Sequence, residues 1–258
     1  MKNLTSMIVL GLLVLLTVPA LASEPDYSDW TFILDNYYDP SKGMDYGGLK
    51  ESESPRLRKL RALMSTIEPA ELSRDQELAF WINFYNISVV GIVVDHYPVD
   101  SIRDISTDPI VRLNVFKKDR VPFQGREISL DWIEHETIRP KFEDPRIHFA
   151  INCAAEDCPP IRTEPYVGAR VDEQLDDQTY RFLNGSNGVR LTRSGDTINV
   201  YVTKIMDWFG EDFEKWAGGR IPFLIEHLSS AKSKIVQEAE KIDLRYQDYS
   251  WDLNDWKR

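Results

Sequence analysis

Cysteine and histidine lie close together in one stretch of the chain, and this combination can perform nucleophilic chemistry. His148 precedes Cys153 and Cys158, which lie in the run Cys-Ala-Ala-Glu-Asp-Cys-Pro-Pro. An imidazole beside a thiol favours the thiolate, which is the nucleophile of many hydrolases and acyltransferases. If residues 146–153 form a strand, His148 points away from Cys153, whereas Cys158 can fold back toward it. We therefore predict Cys158 as a nucleophile and His148 as its base, although a hydrogen-bonded core histidine is the commoner case.

An acidic residue on a predicted helix can complete such a pair. Glu134 lies one turn after Leu130, on a helix that begins at Ser129, at the border of its apolar side. A carboxylate there needs a partner, and it can orient an imidazole as the third member of a triad. The neighbouring His135 is an alternative base and shares a face with Arg139. An exposed acidic helix face is the alternative that involves no chemistry.

Two asparagines lie within an otherwise apolar helix. Asn83 and Asn86 are three residues apart, so their amides point to nearly the same side. Unpaired amides in a dry core cost a few kcal/mol, so both must find partners. These partners are either backbone groups of packed loops or a pocket in which the amides orient a catalytic group or a substrate.

The cysteines also allow hypotheses without acyl chemistry. In an oxidising compartment, neighbouring cysteines most often form a disulfide. Such a Cys153–Cys158 bridge would rigidify a loop of a non-catalytic binding module, in which Arg146 and Arg162 supply charge for an anion or peptide. A third hypothesis is thiol-disulfide exchange with a small thiol. The spacing differs from the Cys-x-x-Cys redox motif, and the cysteines and four histidines lack zinc-ligand spacing.

The N-terminus predicts export. Lys2, the apolar run Met7 to Leu16 and a small-residue site ending at Ala22 are typical of a signal peptide. We therefore expect residues 1–22 to be removed and the mature protein to be periplasmic or secreted, without a stable membrane anchor. The net charge of −11 argues against nucleic acid as a partner. A small molecule or peptide is the expected ligand, and no cofactor or metal is predicted.

The elements that must position these residues suggest an α+β fold. A helix from the N-cap Ser73 to about Tyr97 is apolar on all sides, which predicts a buried central helix. Residues 146–153 are the strongest strand candidate. Hairpins are predicted at 121–129 and 188–202, and helices at 205–216 and 221–240. Because strands and helices do not alternate regularly, we predict one α+β domain over 23–258, with the central helix packed against a small, mostly antiparallel sheet and several surrounding helices.

Several long motifs, in this order, resemble the bacterial and plant family called domain of unknown function 547. They are Leu78-Ala-Phe-Trp-Ile-Asn-Phe-Tyr-Asn86, Ser129-Leu-Asp-Trp-Ile-Glu-His135 and Asp144-Pro-Arg-Ile-His-Phe-Ala-Ile-Asn-Cys153 through Cys158-Pro159-Pro160. Flanking segments that also match are Ile205-Met-Asp-Trp208, Asp212-Phe213 and Tyr249-Ser-Trp-Asp-Leu-Asn254. The resemblance covers roughly Tyr27 to Asn254, with a core at about 75–185, and implies motif residues but no substrate. The motif residues are Trp81, Asn83, Tyr85, Asn86, Glu134, His135, Arg146, His148, Cys153 and Cys158.

Overall fold

The longest helix, Arg74–His96 (α3), forms the centre of the fold in a computed structural model that describes residues 23–105, 114–118 and 120–256. A capping box starts this helix: Gln76 N–H donates to Ser73 Oγ, and Ser73 N–H donates to the Gln76 side chain. Its residues from Glu77 to Val94 are buried, as the apolar sequence requires. Within the described part of the chain, it is the one helix long and apolar enough to cross a membrane, and protein encloses it completely. The predicted signal peptide, residues 1–22, lies outside the described residues.

Helices and one small hairpin cover α3. The helices of this first core are Ser28–Tyr37 (α1), Tyr46–Met64 (α2), Arg139–Phe142 (α4) and Val171–Asn184 (α5). The short strands are Tyr38–Asp39 (β1), Gly43–Met44 (β2), Val121–Phe123 (β3) and Arg126–Ile128 (β4). Phe123 from the β3–β4 hairpin packs against Trp81 and Phe84 of α3, with ring centroids 5.1 and 5.4 Å away. The hairpin thereby closes one side of the central helix.

A second hydrophobic core contains the main sheet. Its strands are Arg190–Ser194 (β5), Thr197–Val202 (β6) and Lys241–Tyr246 (β7). Its helices are Ile205–Trp208 (α6), Gly210–Trp216 (α7), Arg220–His227 (α8) and Ser230–Gln237 (α9). β5 pairs antiparallel and β7 parallel with β6. The α+β prediction is confirmed, and this sheet belongs to the second core, whereas α3 lies in the first.

The strand predicted at 146–153 is wrong. Pro145–Phe149 form a 3-10 turn, which begins where the Asp144 side chain accepts the Arg146 N–H at 2.9 Å. An apolar run bounded by proline is consistent with a buried strand or a buried turn of helix, and periodicity alone does not separate them. The Asp-Pro start selects the helical turn because Asp caps its first N–H groups and proline fits its first position.

The two predicted C-terminal helices are each divided. The first breaks at Phe209, between α6 and α7, and the second breaks between α8 and α9. Asn184 of α5 holds the second break, since its side chain accepts the Ser229 N–H at 2.8 Å and donates to His227 O at 3.1 Å. The chain after Gln237 turns into strand β7 rather than continuing a helix, and the sequence analysis missed this strand.

Candidate active site

A clamp from the central helix shapes the cysteine loop. Asn86 donates to Ala150 O at 3.0 Å and accepts the Asn152 N–H at 2.8 Å. Asn152 in turn donates to Pro159 O at 2.7 Å and accepts the Ala154 N–H at 2.8 Å. Ala154 has a φ of 62°, which residues with a Cβ adopt rarely and at some cost. These four hydrogen bonds fix the conformation of the turn that carries Cys153.

The two cysteines are free thiols. Their Sγ atoms lie 2.8 Å apart and share a hydrogen bond, whereas a disulfide has its sulfur atoms about 2.05 Å apart. The disulfide expected from sequence is therefore not present. Cys153 is half-buried, and Cys158 is buried. The Cys153 N–H also donates to Cys158 Sγ at 2.9 Å.

The environments of the two thiols shift their pKa values in opposite directions. Burial raises the pKa of a thiol, but for Cys153 hydrogen bonds to Cys158, Tyr249 and the Ala155 backbone outweigh it and lower the pKa. Tyr249 Oη lies 3.2 Å from Cys153 Sγ. Burial, together with the neighbouring Cys153, raises the pKa of Cys158 well above its usual range. Once Cys153 loses its proton, Cys158 and Tyr249 therefore become the donors to its thiolate.

His148 is held by an aspartate from the second core. His148 Nε2 lies 2.7 Å from Asp212 Oδ2, and Arg139 binds both oxygens of Asp212 at 2.7 Å. Burial opposes ionisation of Asp212, but hydrogen bonds from His148 and Arg139 outweigh it and lower its pKa to about 2. Burial lowers the pKa of His148 despite the opposing effect of Asp212, so the imidazole is neutral. Its ring stacks on Phe209, with centroids 3.9 Å apart.

Glu134 faces the other nitrogen of this imidazole. It lies in a π-helical segment, Trp132–Ile138, a rare conformation found frequently at functional sites. Glu134 Oε1 is 3.7 Å from His148 Nδ1, a buried atom for which no described residue is a hydrogen-bond partner. Burial raises the pKa of Glu134 to about 8, because an isolated carboxylate is poorly solvated there. Glu134 is therefore protonated at neutral pH.

These groups meet in a cavity of about 180 Å³. It is lined by Tyr85, Asn114, Phe116, Asp131, Glu134, His135, His148, Ile151, Cys153, Cys158, Ile205, Trp208, Phe209, Tyr249 and Trp251. Neutral imidazole, buried carboxylic acid and a polarised thiol thus share one space. This combination is suited to nucleophilic and acid-base chemistry.

Comparison with known families agrees with the motifs. Residues 69–183 match the family described as "Protein of unknown function, DUF547". Residues 69–183 are therefore similar to this family, and we call this segment the DUF547 domain. No curated protein and no solved structure matches the chain. The matched segment of the DUF547 domain carries Glu134, His148 and both cysteines, whereas Asp212 and Tyr249 lie beyond it.

Five of the residues predicted for the site line the cavity in the DUF547 domain and its C-terminal flank. They are Cys153, Cys158, His148, Glu134 and His135. Residues 145–149 form a 3-10 turn, so His148 and Cys153 do not point to opposite faces as they would in a strand. Both side chains therefore line the same cavity.

The other three predicted site residues serve elsewhere in the DUF547 domain. Asn83 donates to Tyr166 O at 2.7 Å and accepts its N–H at 3.0 Å. Asn86 binds the cysteine loop as described, so both amides have the backbone partners of the structural alternative. Arg146 forms ion pairs with Asp144, Asp172 and Asp176, outside the cavity.

Sequence reasoning about chemistry missed several residues of the site. Asp212 is the hydrogen-bond partner of His148, and Trp208, Tyr249 and Trp251 form one wall of the cavity. Their only signal was that they lie in the flanking segments that resemble the DUF547 family. Neither spacing nor periodicity connects these segments to His148.

Proposed function

We propose that this protein is an exported thiol-dependent hydrolase or acyltransferase that acts on a small molecule or peptide. The observation that carries the proposal is the hydrogen bonding of Cys153 Sγ to Cys158 and Tyr249 in the cavity that also holds His148. Stabilised thiolates in partly exposed sites are typical of catalytic cysteines, whereas structural thiols are buried and inert.

Cys153 is the nucleophile in this proposal, in place of the Cys158 expected from sequence. Cys153 is the more exposed of the two, and its hydrogen bonds lower the pKa of its thiol. Cys158 is buried, and burial raises the pKa of its thiol. Cys158 therefore acts as a positioning residue that donates to the Cys153 thiolate.

His148 and Glu134 divide the proton transfers. The Cys153 thiolate attacks the acyl carbon, a thioester forms, and the leaving group departs with the proton of Glu134. A water then gives a proton to His148 Nδ1 and its oxygen attacks the thioester, which releases the acid and the thiolate. The proton returns from His148 to Glu134 across their 3.7 Å separation. Asp212 holds the tautomer that leaves Nδ1 free to accept. In an acyltransferase, an alcohol or amine replaces the water.

Turnover by single variants tests the assignment. In a screen of thioester, ester and peptide substrates, Cys153→Ser is expected to abolish activity. Cys158→Ala is expected to reduce it by about tenfold, since one of several donors to the thiolate is lost. Rapid quenching followed by intact mass should find the acyl group on Cys153. Full activity of Cys153→Ser, with its circular dichroism unchanged, overturns the proposal. Loss of activity only in Cys158→Ala restores Cys158 as the nucleophile.

A second candidate function is thiol-disulfide exchange, which the 2.8 Å separation of the two sulfur atoms favours. Cys153 would attack a disulfide R–S–S–R′ and release R′S⁻. Cys158 would then attack Cys153 of the mixed disulfide, form the Cys153–Cys158 bond and release RSH, which carries the proton of the Cys158 thiol. The reduction potential of the Cys153–Cys158 disulfide distinguishes thiol-disulfide exchange from a purely structural bridge. A structural bridge, as in a non-catalytic binding module, lies below about −300 mV, whereas a bridge used in exchange lies above this value.

The export proposal has a separate test. Cell fractionation is expected to find the protein in the periplasm or the medium, and N-terminal sequencing is expected to begin at Ser23. An intact N-terminus in the cytoplasm contradicts export without affecting the catalytic assignment.

A further inference from the structure

One part of the cavity lining is aromatic. Trp208, Tyr249 and Trp251 pack together with ring centroids 4.8, 5.1 and 5.8 Å apart, and Phe116 lies 6.3 Å from Trp251. Trp208 remains 45% exposed, although it is one of the largest apolar side chains in the protein. Three large aromatic rings therefore border the cavity.

A carboxylate without a cationic partner adds negative charge to this space. The described ion-pair contact of Asp131 is His135 Nε2 at 3.7 Å. Burial, together with the nearby Arg139, lowers the pKa of His135, so this imidazole is neutral and does not balance the charge. The side chain of Asp131 is 32% exposed, so it is reachable from the cavity.

Positive charge is missing from the described lining. None of the described residues that border the cavity is lysine or arginine. The guanidinium of Arg139 lies behind the lining and is bound through two nitrogens to both oxygens of Asp212. The guanidinium of Arg103, also outside the lining, lies over the ring of Trp251, 5.0 Å from its centroid. Within the described lining, an anionic ligand group would therefore meet Asp131 and the Cys153 thiolate but no lysine or arginine.

We propose that this cavity recognises an organic ammonium group, held against the rings of Trp208, Tyr249 and Trp251 and paired with Asp131. Aromatic faces attract such cations, and aromatic cages for ammonium groups use the same interaction. The cavity, at about 180 Å³, is smaller than the roughly 300–1,000 Å³ of pockets for drug-sized ligands. It suits one amine-bearing arm of a substrate. Naming this arm as part of the substrate rests on the proposed function, whereas the binding itself needs no turnover.

Three probes of nearly equal shape test the proposal by calorimetry on the whole mature protein. Choline carries the ammonium group, 3,3-dimethylbutan-1-ol replaces it with an uncharged group, and 3,3-dimethylbutanoate carries a negative charge. Choline is expected to bind at least about tenfold more tightly than the alcohol, and the butanoate more weakly than both. Equal affinity for choline and the alcohol, tighter binding of the butanoate, or no binding of choline at millimolar concentration each overturns the proposal.

Single substitutions identify the side chains that bind choline. Asp131→Asn is expected to weaken choline binding by about five- to tenfold and to leave the alcohol unchanged, because only the charge is removed. Glu136→Gln, on the same helix but exposed and outside the lining, is the matched control and is expected to bind choline normally. Trp251→Ala should weaken choline binding by a similar factor. An Asp131→Asn protein that binds choline as tightly as the wild type contradicts the role of Asp131.

Cys153→Ser separates this inference from the proposed function. The variant is expected to lack turnover but to keep the preference for choline over the alcohol, which Asp131 and the aromatic rings provide. If choline binds but no acyl substrate is turned over, only the proposed function fails. If substrates are turned over without preference for an ammonium group, only this inference fails.

Discussion

His148 and Asp212 join the two hydrophobic cores of the protein through one hydrogen bond of 2.7 Å between Nε2 and Oδ2. His148 lies between Ile147 and Ala150 of the first core, and Asp212 lies on helix α7 of the second core. Because Asp212 occupies Nε2, the Nδ1 atom is left facing Glu134. The docking of the second core therefore determines which nitrogen of the imidazole serves the cavity.

Removing the Asp212 carboxylate should destabilise the protein strongly. In Asp212→Asn, His148 and Arg139 lose a buried charged partner, which typically costs about 3–5 kcal/mol in free energy of unfolding. Urea denaturation measures this loss. Asp243→Asn is the matched control, since it breaks a solvent-exposed pair with Arg245, which contributes little to stability. Equal losses in the two variants would contradict the role of Asp212.

The same carboxylate predicts a loss of stability in acid. The folded state lowers the pKa of Asp212 to about 2, so its contribution is complete above the unfolded pKa of about 3.9. This contribution, on the order of 2 kcal/mol, disappears as the pH falls from about 4 through 2. Unfolding free energies of the wild type and Asp212→Asn should therefore converge at low pH by about this amount. Curves that stay parallel from pH 5 to 2 would exclude the shift.

Glu134 predicts the opposite dependence on pH. Its folded-state pKa is raised to about 8, so the folded protein keeps a proton that the unfolded chain has already released above about pH 4.3. The free energy of unfolding therefore falls with rising pH, by about 1.4 kcal/mol per unit attributable to this group, and levels off above pH 8. Glu134→Gln should remove this part of the slope between pH 5 and 8. Thermal or urea unfolding of the two proteins across this range measures it, and identical slopes would contradict the raised pKa.

Alkylation should distinguish the two thiols. Because its pKa is lowered, Cys153 is expected to react with iodoacetamide at a lower pH than an ordinary cysteine, and before Cys158. Peptide mass mapping against pH measures both rates. Tyr249→Phe, which removes the hydroxyl 3.2 Å from Cys153 Sγ, should move the Cys153 profile to higher pH. Faster reaction at Cys158, or an unchanged profile in Tyr249→Phe, would contradict the described environment.

The two asparagines of α3 form a matched pair of variants. Asn86→Ala and Asn83→Ala each remove two buried hydrogen bonds to backbone groups, which should cost about 2–4 kcal/mol in free energy of unfolding. Only Asn86 holds the loop that leads to Cys153. Asn86→Ala should therefore also change the alkylation profile of Cys153, whereas Asn83→Ala should not. A similar change in both variants would mean that the effect is global rather than local.

Strong local signals in the sequence were enough to predict several elements. The capping box at Ser73 and Gln76 and the apolar residues between them and Val94 were sufficient to predict the buried central helix, because a helix apolar on all sides has to be enclosed. The hairpin predicted at 121–129 is likewise present as β3–β4. Long ordered motifs were sufficient to recognise the DUF547 family. They also named six residues that line the cavity, which are Tyr85, Glu134, His135, His148, Cys153 and Cys158.

Only the tertiary structure decided how these elements meet. Asp212 contacts His148 across 64 residues of sequence, and Tyr249 contacts Cys153 across 96 residues. No local sequence pattern encodes such contacts. Residues 145–149 form a 3-10 turn rather than a strand. The apolar periodicity of this segment does not distinguish the two, so the Asp-Pro start and the packing of the segment decide between them. The protonation of each thiol depends on burial and on hydrogen bonds from distant segments. The sequence therefore determined which residue types are available for chemistry, and long-range packing decided which cysteine is activated.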